Sequence, residues 1–264
     1  MDLKLKDKTA FITGSTAGIG FGCALALAKE GVHVILNGRT TSGVSAAIER
    51  LKKQVSGVHV GGIATDFTKV EEVNDLLDQL SDVDILINNV GIYRSESFYD
   101  MTDEDWQIQY EVNIMSGVRL SRKLLPLMKA KGWGRIIFVS SECASLVPED
   151  LICYSSTKAA ILALSRGLAQ LTRGTDVTVN TVVPGSTMTE GAQQFLKGLA
   201  EKEGKSIEAA EADFFKEIRT SSLIERFVSV EEVASAIAYL SSYLSAGTNG
   251  STIKVDGGSM GGII

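Results

Sequence analysis

The chain has 264 residues, 44% apolar and 22% charged, with three prolines against 26 glycines; this balance excludes a mainly disordered, collagen-like or proline-rich chain. Lys plus Arg number 26 and Asp plus Glu number 32, leaving a net charge of −6, which argues against a nucleic-acid partner. Cys23, Cys143 and Cys153 form no CxxC pair, so neither a disulfide framework nor a metal site is expected, and a reducing compartment fits. The first apolar run, 10–12, is too short for a signal-peptide core. No stretch approaches the roughly 18 apolar residues of a membrane span. The expectation is a cytoplasmic protein with no membrane partner.

Apolar runs alternate with helical patterns along the chain. Residues 9–13 read as a buried strand, 19–30 as a helix stopped by Gly31, 32–36 as a strand and 42–55 as a helix. A strand at 58–63, a helix at 70–80 and a strand at 83–87 come next. Thr102 reads as an N-cap before Asp103, Glu104 and Asp105, where carboxylates favour the positive helix end. That helix is expected to reach residue 131 with a kink at Pro126. Then come a strand at 135–139, a helix at 154–171, a strand at 177–183, an irregular polar-helical stretch at 190–220, a helix at 230–244 and a strand at 252–255. Strands alternating with long helices imply βαβ units. Unbroken apolar runs such as Ile136-Ile137-Phe138-Val139 suit parallel strands covered on both faces. The expected fold is α/β, a doubly wound parallel sheet of about seven strands in a single domain spanning 1–264. Ligands of such sheets bind outside the carboxyl ends of the strands, so chemistry is sought in the loop at the end of each strand.

After strand one stands Thr13-Gly14-Ser15-Thr16-Ala17-Gly18-Ile19-Gly20. Glycines permit a tight turn and close backbone approach, and the helix behind them offers free N–H groups and a positive dipole end to a phosphate. Alone the GxxxGxG spacing is weak; between first strand and first helix it favours a dinucleotide diphosphate. After strand two, Gly38 stands where a ribose-binding carboxylate is expected, and Arg39 is next to it. Arginine suits a 2′-phosphate through forked bonds, which favours NADP(H) over NAD(H); the other reading is a solvated surface arginine. After strand three, Asp66 and the amide of Phe67 can meet an adenine edge, or Asp66 can cap the next helix. Strand four ends Asn88-Asn89-Val90-Gly91, with Asn89 read as fixing neighbouring loops. Ser140 and Ser141 close strand five. Tyr154 and Lys158, at i and i+4, share a helical face. A cation beside a phenol lowers its pKa from ~10, and such a Tyr can exchange a proton with an alcohol or carbonyl near neutral pH, with the Ser141 hydroxyl holding the same oxygen. The loop Pro184-Gly185-Ser186-Thr187-Met188-Thr189 offers hydroxyls and amides to a carboxamide, or is simply a sharp turn.

Taken together and in this order, these motifs resemble a short-chain dehydrogenase/reductase of the compact type over essentially the whole chain. The resemblance implies a Rossmann fold. Ser141 precedes Tyr154 by 13 residues, the family's usual spacing, so it is preferred over Ser140. The resemblance further implies Tyr154 as general acid/base and Lys158 as the group that binds the nicotinamide ribose and lowers the Tyr pKa. Asn113 would hold a water of a proton relay, and Thr187 and Thr189 would orient the carboxamide. Three departures stand out. Val90 replaces a small residue, no basic residue occurs in 15–17, and Ser229-Val230 stands where Gly or Pro is frequent. Residues 190–227 are expected to form a substrate lid. Its Phe195, Leu199, Phe214, Phe215 and Ile218 either close over an apolar carbonyl compound or pack against the domain. Cys153 lines the pocket or simply packs. His33 and His59 fall at the far ends of their strands, which excludes a Ser-His-Asp hydrolase. The expected activity is NADP(H)-dependent hydride transfer on a carbonyl or secondary alcohol, of the 3-oxoacyl reductase or general carbonyl reductase kind, in a homo-oligomer. Two other readings are an NAD-dependent hydroxy-compound dehydrogenase and a non-catalytic dinucleotide sensor.

Overall fold

The computed structural model describes residues 2–262. Seven strands form one parallel sheet: β1 (Thr9–Ile12), β2 (His33–Gly38), β3 (Val60–Ala64), β4 (Ile85–Asn88), β5 (Gly134–Val139), β6 (Val177–Pro184) and β7 (Thr252–Val255). Their order is β3-β2-β1-β4-β5-β6-β7. The chain winds outward from β1 through β2 to β3, then returns to place β4 on the other side of β1. That reversal leaves a crevice above the carboxyl ends of β1 and β4, the position where doubly wound sheets bind ligands.

The apolar runs make strands because both faces are covered. On one face Phe21, Ala24, Leu27, Val233 and Ile237 pack against Ile12, Leu36 and Ile87; they come from α1 (Gly18–Lys29) and α10 (Val230–Leu240). On the other, Leu76, Leu120, Leu124 and Ile161 pack against Phe11, Leu86, Ile136 and Phe138; they come from α3 (Val70–Gln79), α5 (Ser116–Lys131) and α7 (Ile152–Gln170). β2 runs on to Gly38 and β3 to Ala64 because Asn37 and Gly38 pair with Ile63 and Ala64. The sequence expectation ended both strands earlier, since Asn and Gly carry no apolar signal.

The expected long helix after Thr102 is interrupted. Thr102 and Asp105 form a capping box at α4 (Asp103–Tyr110), but Glu111–Met115 is a π-turn before α5 begins. The break in regularity lies at Asn113 rather than at Pro126, which α5 carries within it; π-turns often mark functional positions. Residues 190–227, left irregular by the sequence, contain α8 (Glu190–Glu203), α9 (Ile207–Asp213) and a second π-turn, Phe214–Ile218. The helix expected over 230–244 stops at Leu240, and Ser242 caps a separate 3-10 turn. α2 (Thr41–Gln54) comes after β2, and the short α6 (Cys143–Leu146) after β5.

Candidate active site

The glycine-rich loop is held from both sides. Asn89 Nδ2 donates to the carbonyls of Thr13 and Gly14 at 2.9 and 3.0 Å, and Gly14 N donates to Asn37 Oδ1 at 3.1 Å. Asn89 thus fixes the loop, as its sequence context indicated. A Cβ at Gly20 would lie 2.4 Å from the Gly14 carbonyl, so only glycine lets α1 start this close to β1. Ser15 is buried and its hydroxyl donates to Ile12 O; it builds the turn, while Thr16 lines the groove beside it. The first amide bonded back within α1 is that of Phe21, to Ala17. A turn of bare backbone ahead of the amides of Ile19 and Gly20, with Gly18 N held only by the Glu190 carboxylate, fits a dinucleotide's diphosphate.

Beside the loop lies a groove of about 530 Å³ lined by Gly14, Thr16, Arg39, Asp66, Val90 and Ile92 among others. Arg39 is exposed and close enough to Asp66 to lower that carboxyl. The larger cause of the lowering is the Thr68 hydroxyl, which donates to Asp66 Oδ1 at 2.7 Å. Asp66 therefore shapes a local turn and keeps its other oxygen for the groove. The Phe67 side chain is buried in the core, leaving only its backbone for a ligand. Asn88 does not reach the groove: its amide lies 3.5 Å from where a Cβ on Gly117 of α5 would stand, and neither amide atom finds a partner. A Cβ at Gly38 would lie 2.5 Å from Thr16 Cγ2, so a carboxylate there would require Thr16 to turn away.

The catalytic candidates converge at the ends of β4 and β5. Ser140 and Ser141 divide their work: Ser140 Oγ donates to Lys158 O at 2.7 Å, tying α7 to β5, while half-buried Ser141 accepts from Cys143 N at 3.2 Å and stands close enough to the Tyr154 phenol to favour its ionised form. Lys158 is buried, donates to Val139 O at 3.0 Å, and its Nζ lies 5.6 Å from the Tyr154 ring centre. A Cβ on Gly91 would touch Lys158 Nζ at 3.2 Å and Asn113 Oδ1 at 3.5 Å, so both groups border one small space that only glycine leaves open. Asn113 itself binds backbone: Oδ1 accepts from Ile92 N, and Nδ2 donates to Ile92 O and Thr157 Oγ1.

The electrostatics correct one expectation. Lys158 does not depress the Tyr154 phenol in the protein alone. Burial pushes that phenol up, the nearby Cys143 thiol adds to the rise, and the Ser141 hydrogen bond works against it. The same burial drops Lys158 to about 8. Desolvation disfavours both charged forms more than their mutual attraction favours them.

Thr187 and Thr189 lie beside the crevice but are engaged. Thr187 Oγ1 donates to Gly185 O, and Thr189 Oγ1 accepts from Ala192 N as the cap of α8. Gly185 is required because a Cβ would meet the Asp256 backbone at 2.7 Å; Pro184 ends β6 just before it. Among the aromatic residues read as lid faces, Phe214 and Phe215 pack with Phe227 and Leu196 inside the 190–227 segment itself, with Leu199 against them. Phe195 and Ile218 remain exposed. Cys153 is buried. The His33 and His59 rings lie 4.7 Å apart, tilted by 45°, at the opposite ends of their strands from the crevice.

Sequence reasoning passed over two charged pairs. Glu142, next to Ser141, is buried and its Oε1 accepts from Ser186 Oγ at 2.8 Å and Arg219 Nε at 3.0 Å. One carboxylate thereby ties the serine loop, the loop after β6 and the 190–227 segment. Glu190 reaches from α8 to Gly18 N at 2.9 Å and to Arg50 Nη1 at 3.4 Å. Neither pair leaves a signal in local sequence, since the partners are far apart in the chain. Tyr93, exposed, sets its ring edge-to-face on Tyr154 at 5.8 Å, and only its position two residues after Gly91 hinted at the site.

The family model for short chain dehydrogenases matches residues 8–200. The chain is 45% identical over 258 residues, 98% of both chains, to an uncharacterized oxidoreductase, YvaG, of Bacillus subtilis. It is 33% identical over 258 residues to the D-beta-hydroxybutyrate dehydrogenase of Cupriavidus necator, covering 96% of this chain and 98% of that one. Its fold superposes on L-sorbose reductase from Gluconobacter frateurii, solved with NADPH and L-sorbose, with a TM-score of 0.92, 33% identity and full coverage of both chains. A glycine-rich turn between the first strand and first helix, Ser, Tyr and Lys gathered at the ends of β4 and β5, and these matches have one reading: the chain belongs to the short-chain dehydrogenase family, oxidoreductases that interconvert alcohols and carbonyls with NAD(P).

Proposed function

We propose that this protein is an NADP(H)-dependent reductase of ketones, able to run in reverse on secondary alcohols. The observation that carries the reading is the meeting of Ser141, Tyr154 and Lys158 beside the glycine-rich loop. The nicotinamide supplies or takes the hydride; the chain manages the oxygen and its proton. Ser141 Oγ holds the substrate oxygen, and Tyr154 donates its phenolic proton to that oxygen as it gains charge. Burial favours the neutral phenol, which is the form a reduction needs. Lys158 holds ribose, and the space beside Gly91 takes a water that Asn113 holds and that links Lys158 to solvent as a proton relay. The amides of Gly18, Ile19 and Gly20 take diphosphate. Gly14, Ser15 and Thr16 shape its bed, Asp66 with the Phe67 amide meets adenine, and Pro184, Gly185, Thr187 and Thr189 border the carboxamide. Arg39 takes the 2′-phosphate, consistent with the NADPH held by the sorbose reductase. We read the protein as cytoplasmic, a single domain with residues 190–227 as its lid, acting as a homo-oligomer on a small molecule.

For the substrate, a hydroxylated ketone is favoured over the apolar carbonyl that was one reading of the 190–227 composition and over the 3-oxoacyl compound of the expected activity. Phe214 and Phe215 face inward, while the lid sends Arg219 to Glu142 beside the catalytic serine. Calorimetric titration with NADPH and NADH, then reduced-nicotinamide absorbance across ketoses, 3-oxo esters and simple ketones, tests the whole reading. Tight NADPH binding with turnover of ketoses is expected. Tighter NADH binding would move the reading to an NAD-dependent dehydrogenase, and binding without turnover across the panel would move it to a sensor.

A further inference from the structure

The glycine-rich loop carries a contact that a dinucleotide-binding turn does not need for folding. Glu190, the first residue of α8, places Oε2 2.9 Å from Gly18 N, across 172 residues of sequence. Gly18 opens α1, so this amide is one of the donors assigned to diphosphate above. The carboxylate is held there. Arg50 Nη1 lies 3.4 Å from Oε1, Arg50 Nη2 donates to Thr16 O at 3.3 Å, and the guanidinium sits over the Phe21 ring at 3.4 Å. Together, a helix N-terminal amide and a guanidinium make an anion seat, and a carboxylate of the chain itself fills it. A cavity of about 430 Å³ opens beside the contact, lined by Gly18, Arg50, Glu190, Gln193 and Ser229. Glu190 has room to leave; its side chain is 54% exposed.

We propose that Glu190 is a tethered competitor of the cofactor diphosphate, setting dinucleotide affinity and releasing the start of α8 when the cofactor takes its place. The proposal rests on the dinucleotide reading above. Two like charges cannot share one amide seat, so binding must expel the carboxylate or bear its repulsion. The carboxyl is held below its usual range, first by its own backbone amide and further by Gly18 N and Arg50, so it competes as an anion at neutral pH. α8 opens the 190–227 segment, so freeing Glu190 loosens the same segment that carries Arg219 to the serine loop.

The test is isothermal titration of the intact protein and of Glu190→Gln and Glu190→Ala, using NADP+ and adenosine 2′-monophosphate, which lacks a diphosphate. Both variants should bind NADP+ about three- to tenfold more tightly than the parent, as expected for removing one partly exposed like charge. Adenosine 2′-monophosphate should bind all three within about twofold. Unchanged or weaker NADP+ binding in correctly melting variants overturns the proposal, as does an equal gain for the monophosphate. Failure of the parent and both variants to bind NADP+ or NADH is a different result, and it overturns the functional reading itself.

Discussion

In the proposed mechanism the chemistry concentrates at Tyr154. Its ring lies against Lys158 and Tyr93, its hydroxyl meets Ser141, and its surroundings favour the protonated state. Tyr154→Phe should lower kcat by about 10²- to 10⁴-fold, the usual worth of a positioned proton donor. Its NADPH affinity should stay near the parent's; steady-state rates alongside titration check both, and equal rates would remove Tyr154 from the mechanism. Arg39 is the residue to which the proposal assigns the cofactor preference. Replacing it with Asp should shift the ratio of NADPH to NADH affinity by about 10- to 100-fold toward NADH, since a charge-assisted bond is lost and a repulsion gained. An unmoved ratio would make Arg39 an ordinary surface cation. These residues stood out as candidates because Arg39 comes just after β2 and Tyr154 lies in the first turn of α7, the helix after β5, where sequence position and spatial position coincide. Glu142, Arg219, Arg50 and Glu190 were not, because a charge seen in sequence looks solvated until its partner is found.

At the level of elements, the site depends on loops being pinned to one another. The Glu142–Arg219 pair is almost enclosed, with side chains 3% and 16% exposed. Glu142 Oε2 has no partner among the described residues. Arg219→Ala leaves that carboxylate buried without its cation, with only the Ser186 hydroxyl on it, and should cost about 2–4 kcal/mol, read as a lower urea midpoint, with KM raised as the 190–227 segment loses its anchor. Arg219→Ala combined with Glu142→Leu should recover part of the stability and none of the KM. The double variant unfolding as easily as the single one would show that the pair is not what Arg219 contributes. The π-turn at 111–115 teaches a related lesson. Periodicity read the whole of 103–131 as one helix, and Pro126 was the visible irregularity. The widened turn at Asn113 arises where its amide must reach the Ile92 backbone and Thr157, contacts that no local pattern encodes.

For the whole molecule, burial of Lys158 links the site to stability. Its ammonium titrates at about 8 in the folded protein against an ordinary 10.5. Between those values the unfolded chain binds more protons at this group, so the group's contribution to stability rises with pH across that window. The raised Tyr154 phenol acts in the opposite sense, above its ordinary ~10. Without cofactor, the parent should therefore gain stability relative to Lys158→Met from about pH 8 toward pH 10, measured as the difference between their urea midpoints. A flat difference across that range would mean that the lysine is hydrated in solution.

The fold class, the strand count and the positions of the serine, tyrosine, lysine and glycine-rich loop were determined by sequence alone. They rest on periodic burial and on backbone freedom, both of which are local. Tertiary structure decided how Lys158 and Tyr154 share their charge, where the lid's aromatic faces turn, and which carboxylates hold the catalytic and cofactor loops. Those outcomes depend on desolvation and on partners brought together from as far as 172 residues away. Neither quantity exists until the chain has folded.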